Sequence, residues 1–346
     1  MNYYAGLDVS LKEVSICVID GTGATVARGV SPADPEGVAA WFRTRSLSPE
    51  LIVHESGQLS IWLQRGLEQL GFPVFCIDAR RAHKSLSARP NKSDAADAEG
   101  LAQLARTGWF TPVHVRSENA DRLRALVSAR GQLIELRKDL EGHVRGILKT
   151  FGIRLTGVGK GRQRQGFRDQ LAIAGERDPV LRMIADGFIA AHAILCQAAA
   201  ELDRAVKEKA ETHPVARRLM TIPGVGAIVA LNFVALIDEP SRFRKAENVG
   251  AFLGLTPRRH QSGEIDWSGR ISKCGDGVMR SLLFEAATTL ITRVQKFSAL
   301  RSWAVRLAGR RGFAKAAVAT ARKLAVLMLA LWKNETEFTW TKEAVA

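Results

Sequence analysis

Apolar and polar residues alternate along Tyr3 to Val9, Val14 to Ile19 and Ala24 to Val30, with short turns such as Asp20-Gly21-Thr22-Gly23 between them. A period of two predicts strands, and three such runs joined by tight turns predict an antiparallel meander. The pattern then changes: Pro35 to about Thr44 reads as an amphipathic helix, Leu51-Ile52-Val53-His54 as a strand, Leu59 to Leu70 as a helix and Pro73 to Ile77 as a strand. Beyond a polar loop, Ser93 is placed to cap a helix from Asp94 to about Arg106. From Ser117 the pattern is helical. Leu126, Leu133, Leu140 and Ile147 recur every seven residues, as do Leu181, Phe188, Leu195 and Leu202, which predicts two coiled-coil seams. Gly142, Gly146, Arg130 and Arg137 interrupt the first, so a long bundle helix is the other reading. Gly152 to Phe167, rich in Gly and Arg, is expected to be the loop between the two.

A third module starts at Pro214. Leu219-Met220-Thr221-Ile222-Pro223-Gly224-Val225-Gly226, followed by the apolar Ala227 to Ile237, reads as a helix-hairpin-helix element. Its turn amides at Gly224 and Gly226, with the N-terminus of the second helix, can face phosphate oxygens. Phe243 to Phe252 is expected to be helical, Gly254 to Asp276 is rich in Gly and Arg, and helices are expected from Val278 to Arg293 and from about Gly312 to Trp332. The chain thus divides into an α/β module at 1–115, coiled-coil or oligomerisation helices at 116–212 and a mainly helical module at 213–346. The βββαβαβα order of the first is that of ribonuclease-H-like domains, although periodicity alone admits other α/β folds.

Composition narrows the function. Of the 346 residues, 46% are hydrophobic and 25% charged, which suits a globular protein and excludes a disordered or collagen-like one. Lys and Arg number 50 against 35 Asp and Glu, a net charge of +15. The first 115 residues hold 11 basic and 12 acidic side chains and the rest hold 39 and 23, so the whole basic excess lies beyond the first module. Such a surface favours a polyanion through counterion release, and nucleic acid is the foremost candidate. No apolar run approaches the ~20 residues of a membrane span. The longest, Ala325 to Trp332, is closed by Lys323 and Lys333, and the start of the chain carries no secretory pattern. A cytoplasmic, nucleoid-associated protein with no membrane partner is expected. Cys17, Cys76, Cys196 and Cys274 are far apart and form no CxxC pair, which argues against a zinc site or a disulfide framework.

Four acids carry the sharpest chemical signal. Asp8 falls in the first strand, Glu55 ends the fourth, and Asp94 and Asp97 stand one turn apart on the last helix of the first module. Singly, each is an ordinary surface or cap residue. In a ribonuclease-H-like fold, however, they converge, and clustered carboxylates suit Mg²⁺ or Mn²⁺ in phosphodiester chemistry. Asp20, Asp78 and Glu99 read as turn, strand-end or surface residues. A second cluster is Pro257-Arg258-Arg259-His260-Gln261-Ser262-Gly263 with Gly269-Arg270-Ile271-Ser272-Lys273. Ser262 beside a glycine is either a turn residue or an accessible nucleophile, and Arg258, Arg259, Arg270 and Lys273 are candidate phosphate contacts. Gly157-Val158-Gly159-Lys160-Gly161 lacks the upstream glycine and the following Ser or Thr of a phosphate loop, so ATP binding is discarded. His54 reads as a strand residue rather than a metal ligand.

Gly6-Leu7-Asp8-Val9-Ser10, Glu55-Ser56-Gly57 and Lys92-Ser93-Asp94-Ala95-Ala96-Asp97-Ala98 resemble the RuvC-like domain of the DEDD-type insertion-sequence transposases, the IS-one-ten family. That family includes pilin-gene invertases and bridge-RNA-guided recombinases. Ile222 to Gly226, Gly254 to Arg258, Ser262-Gly263 and Ile271 to Asp276 resemble its second, transposase domain. The resemblance implies that Asp8, Glu55, Asp94 and Asp97 hold Mg²⁺ and that Ser262 joins covalently to DNA. It further implies dimers and a tetramer on donor and target DNA, and a structured guide RNA. Glu264, Asp266, Trp267 and Cys274 depart from the family pattern. Two other readings compete: a metal-dependent nuclease resembling a Holliday-junction resolvase, with water as nucleophile, and a non-enzymatic architectural protein.

Overall fold

The computed structural model describes residues 2–79, 93–156, 162–262 and 265–340, and of residues 162, 262 and 265 the backbone alone. It forms two compact units, Met1–Arg116 and Ser117–Ala346.

The first unit is a five-stranded sheet of β1 (Tyr3–Val9), β2 (Glu13–Asp20), β3 (Thr25–Pro32), β4 (Pro49–Glu55) and β5 (Val74–Ile77), in the order β3-β2-β1-β4-β5. The first three strands pair antiparallel, and β1, β4 and β5 are parallel. With α1 (Pro35–Arg43), α2 (Ser60–Gln69) and α3 (Asp94–Thr107), this is the expected ribonuclease-H-like order. Strand alternation sorts the side chains between two faces. Ala5, Leu7, Ile52, Phe42, Leu63 and Leu67 share a core with α1 and α2. The opposite face packs Val53, Ile77, Leu101, Leu104 and Ala105 together, with Cys17, Ile19, Ala98 and Ala102 beside them. α3 starts at Ser93, whose hydroxyl accepts from the Ala96 amide at 3.3 Å, and ends at Gly108 in the left-handed region. Its backbone lies directly on β1: a Cβ at Gly6 would stand 2.0 Å from the Ala98 carbonyl oxygen and 2.4 Å from the Ala102 nitrogen.

The second unit is built around two long helices, α4 (Glu118–Lys149) and α6 (Pro179–Thr212), with α5 (Arg162–Gly175) between them in sequence. There follow α7 (Pro214–Leu219), α8 (Ala227–Ile237), α9 (Asn248–Phe252), a hairpin of β6 (Pro257–Ser262) and β7 (Ile265–Ile271), α10 (Gly277–Thr292), α11 (Ala299–Arg311) and α12 (Phe313–Lys333). The apolar α8 is the centre of the main core, against Leu283, Leu290, Leu324 and Met328, and α4 and α6 add Leu123, Val127, Val206 and Ala210. A second core, at the other end of α4, joins Val144 and Leu148 to Phe167, Leu171, Leu181 and Ala185.

The structure changes or refines several sequence expectations. The expected loop, Gly152 to Phe167, is cut short by the helix Arg162–Gly175, whose Phe167, Leu171 and Ala174 recur at helical spacing and are buried. Gly142 and Gly146 lie inside an unbroken α4. The buried line of that helix is Leu123, Val127, Arg137, Glu141, Val144 and Leu148, while Leu126, Leu133, Leu140 and Ile147 stay half-exposed. Of Phe243 to Phe252, only Asn248–Phe252 is α-helical, after a short 3₁₀ turn at Pro240–Arg242. Pro257–Ser262 and Ile265–Ile271 are strands in a module expected to be mainly helical.

Charged groups are buried between the long helices. His192 is fully buried, its Nε2 is 2.9 Å from Glu141 Oε1, and Arg137 Nε lies 3.3 Å from the same oxygen. Arg168 Nη1 lies 3.3 Å from His192 Nδ1, and the Cys196 thiol is close by. A stretch of α6 is long and apolar enough to cross a membrane by composition. Its His192–Glu141 contact and the Arg130–Asp203 pair at 2.6 Å instead seat it against α4.

Two predictions follow from this packing. Gly6→Ala should force α3 off β1 and lower unfolding free energy by about 2–4 kcal/mol in denaturant titrations, whereas Gly21→Ala, in open space, should be nearly neutral; matching midpoints would refute the close approach. Burial holds His192 below the ordinary histidine value of 6.5, with Glu141 opposing the shift and Arg168 and Arg137 assisting it. A depressed histidine adds stability above the unfolded value and loses it as pH falls towards the folded one. Melting temperature should therefore decline more below about pH 6.5 in the wild type than in His192→Gln.

Candidate functional site

In the first unit, strand register sets the site. Leu7 is paired with His54 on the parallel strands β1 and β4, so the next residues, Asp8 and Glu55, stand side by side at the two C-terminal ends. Side-chain alternation puts Asp8 on the face of Gly6, which meets α3, and Glu55 on the face of Val53, which packs against Leu101. The residues of β1 track α3 backwards. Tyr4 packs against the cluster of Leu101, Leu104 and Ala105, Gly6 meets Ala98 and Ala102, and Asp8 arrives at the first turn, where Asp94 and Asp97 lie. All four expected acids therefore share one edge of the α3 face. Asp94 is exposed, and Asp8, Glu55 and Asp97 are half-buried.

Other nearby acids are separated from this edge by their partners. Glu99 forms an ion pair with Arg28 at 2.5 Å. Asp20 accepts from the Thr22 hydroxyl at 2.6 Å and from the Thr22 and Ala24 amides, which holds its carboxyl below the usual range. His54 is fully buried on the opposite face. Desolvation lowers its pKa, and Nδ1 lies 3.1 Å from the Glu55 carbonyl oxygen. The strand end is tied to β5 by the Ser56 amide donating to the Ile77 carbonyl at 2.8 Å.

The donor set is four hard carboxylates, the chemistry that suits Mg²⁺ or Mn²⁺. Among the described residues, no three His, Cys, Asp or Glu side chains close to metal-holding distance. Like charges in such a set repel one another, and a divalent cation would screen them. The positive end of the α3 dipole opposes part of that repulsion.

The second unit presents Ser262 at the last position of β6, paired with Ile265; Gly263 and Glu264 between them lie outside the described residues, as do residues 91 and 92 and the discarded loop at 157–161. The hairpin grows from a laced base. The Ser272 amide donates to the Thr256 carbonyl at 2.8 Å, the Lys273 amide to that of Gly254 at 3.1 Å, and Arg280 Nη1 donates to the Leu253 and Gly275 carbonyls at 3.1 and 3.0 Å. Gly254 and Gly275 have positive φ, and a Cβ on either would collide with the facing backbone at 2.0 and 2.2 Å. The motifs Gly254 to Pro257 and Ile271 to Asp276 are therefore the two halves of one support.

The expected phosphate contacts differ in their surroundings. Arg258 donates to the Ser272 carbonyl at 3.1 Å, and Arg270 and Lys273 are exposed. Arg259 is engaged by Asp266 through bonds of 2.9 and 2.5 Å, which hold the Asp266 carboxyl below its usual range. Gly226 is the exposed N-cap of α8 with no side-chain cap. Gly224, with φ +89°, is a packing residue instead, since a Cβ there would stand 2.5 Å from the Ala286 carbonyl oxygen. Sequence reasoning missed the hairpin and its stacked His260–Trp267 pair. The alternation of Ile265, Trp267, Gly269 and Ile271 with polar residues was the available signal.

Comparison with known proteins extends over both units. A DEDD transposase model matches residues 5–153, and a model described as the transposase IS116/IS110/IS902 family matches residues 216–302. The transposase for insertion sequence element IS1111A of Coxiella burnetii is 27% identical over 96% of this chain and 90% of its own. A putative transposase of Sinorhizobium fredii is 30% identical over 83% of this chain and 73% of its own. A pilin gene-inverting protein of Moraxella lacunata is 30% identical over 35% of this chain and 37% of its own. RuvC of Thermus thermophilus, in complex with a Holliday junction substrate, aligns with 33% of this chain and 100% of its own at 16% identity and a TM-score of 0.25. The fold assignment stands on strand order. On these matches, the chain belongs to the IS116/IS110/IS902 transposase family.

Proposed function

We propose that the protein cuts and rejoins DNA as the recombinase of an insertion sequence, with the acidic edge of the first unit and Ser262 of the second as its chemical groups. The observation that carries the reading is the adjacency of Asp8 and Glu55 on neighbouring parallel strand ends, facing the turn that bears Asp94 and Asp97. These four residues would hold Mg²⁺ or Mn²⁺, which supplies charge stabilisation and polarisation at a phosphodiester. Ser262 Oγ forms a bond to phosphorus while the phosphorus–oxygen bond to the departing deoxyribose breaks. The serine proton leaves to a base or water, and the departing oxygen takes one up. Attack by a new deoxyribose hydroxyl reverses the step and releases the serine, so bond energy is retained for rejoining.

Arg258, Arg270 and Lys273, close to Ser262 in sequence and around the hairpin base, are suited to phosphate oxygens, as is the α8 N-terminus at Gly226. Donor and target DNA are the partners. Homodimers, and a tetramer on DNA, are favoured by the half-exposed line Leu133, Leu140 and Ile147 on α4, although Leu126 of the same heptad packs against the main core. A structured guide RNA would supply the site selection, for which the described residues of the basic second unit show no evident base-reading element. The setting is the cytoplasm, at the nucleoid.

Asp8→Asn and Asp97→Asn should each lower recombination by roughly a hundredfold or more while leaving DNA binding intact. Ser262→Ala should abolish a denaturation-resistant protein–DNA adduct that the wild type forms. An active Ser262→Ala protein would remove the serine mechanism and favour a resolvase-like attack by water. Sequencing nucleic acid that copurifies from cells carrying the native flanking DNA should recover one discrete structured RNA; random fragments alone would remove the guide.

A further inference from the structure

We propose that a groove between the β6–β7 hairpin and the helices α11 and α12 binds an unpaired stretch of DNA, with bases on its apolar floor and phosphates on its basic rim. The inference rests on the reading of the protein as a nucleic-acid enzyme and adds a site to it. The groove encloses about 890 Å³. Leu255, Ile271, Trp303, Val318 and Val326 form its apolar lining, and Arg270, Lys273, Lys315, Arg322 and Lys323 its cations. Among the described residues, no carboxylate lines it. The charge continues beyond the groove, for residues 286–334 contain ten Lys and Arg and neither Asp nor Glu.

Three features choose the occupant. A purely electrostatic surface for duplex DNA needs no apolar floor, because a duplex keeps its base faces stacked inside; an unpaired strand exposes them and gains by burying them. Trp303 is half-buried with the Lys323 ammonium 4.7 Å from its ring centroid, so an aromatic platform stands directly beside a phosphate-binding charge. Among the described residues, the lining includes no Ser, Thr, Asn, Gln, Asp or Glu. A buried ribose 2′-hydroxyl would find no side-chain acceptor there, and an unpaired hydroxyl is costly to bury. Deoxyribose carries no such group. Strand exchange in a recombinase passes through unpaired DNA, which gives the groove a use during the reaction.

Binding of the full chain to a labelled oligothymidylate, the matching oligouridylate and a duplex, read by fluorescence anisotropy, tests the assignment. The variant Lys315→Gln/Arg322→Gln/Lys323→Gln changes three exposed side chains and should fold normally. It should lose about tenfold or more in oligothymidylate affinity, with a salt slope shallower by ~0.7 per lost contact, and change duplex affinity less than about twofold. Trp303→Leu should weaken oligothymidylate binding alone. Equal losses on single strand and duplex, or no loss, would overturn the groove while wild-type duplex binding left the recombinase reading standing. Tighter wild-type binding of oligouridylate would overturn the assignment to DNA. A wild type with no affinity for any of the three would overturn the groove and the nucleic-acid reading together.

Discussion

The contact between Gly6 and α3 is the constraint on which the first unit depends. Helix and strand backbones there approach so closely that the position has no room for a side chain, and this fixes where α3 begins relative to the end of β1. A helix that advanced or retreated by one residue would rotate its acids by about 100°, carrying Asp97 off the β1 face. The same contact fixes which face of β1 carries Asp8. The strand pairing Leu7 with His54 then sets Glu55 beside it. The acidic edge is thus a consequence of backbone packing, and the opposite face, filled by Leu7, Ile52, Leu63 and Leu67, supplies the burial that holds the sheet in place.

The second unit solves a different problem, that of holding a polar hairpin on a helical scaffold. Hydrogen bonds between Ser272 and Thr256 and between Lys273 and Gly254, the Arg280 clamp, and two glycines with forbidden Cβ positions fix its base. Asp276 continues the support by capping α10 through the Met279 amide at 2.8 Å and pairing with Arg124 at 3.2 Å. Ser262, at the far end of β6, is therefore borne on a rooted lever. Between the long helices, the Arg137–Glu141 ion pair of α4 is buried, at a desolvation cost that offsets much of its attraction. The contact that bears on register is His192–Glu141, since sliding α6 against α4 would part the imidazole from the carboxylate.

Sequence periodicity made the first unit legible almost element by element, because short strand-like runs such as Tyr3 to Val9 and Val14 to Ile19 are bounded by turn residues. The fit of α3 between Ser93 and Gly108 was legible for the same reason: a cap at each end brackets the helix. Elsewhere pairing hid the signal. Arg137 and Glu141 look like solvent-facing residues by type, yet they occupy the buried line of α4 because each neutralises the other, so heptads of leucine pointed to the half-exposed line. The β6 residues Arg258, Arg259, His260 and Gln261 carry no apolar alternation, and the Arg259–Asp266 bond across the hairpin, which compensates, joins residues that period analysis treats separately. The acids were legible as a set through their spacing on predicted elements, whereas their separations follow from backbone packing, which spacing does not report.

Charge segregation between the units follows from the chemistry they divide. A cluster of carboxylates repels a phosphodiester until a divalent cation intervenes, so the module that carries it gains nothing from polyanion affinity of its own; its near-balance of 11 basic and 12 acidic residues fits that demand. Affinity must then come from elsewhere in the chain, and the residues beyond 115, with 39 basic and 23 acidic side chains, hold the whole basic excess. On the proposed reading, the segregation assigns metal binding to the first unit and phosphate binding to the second. It also makes binding and chemistry separable by mutation, so that loss of one need not entail loss of the other.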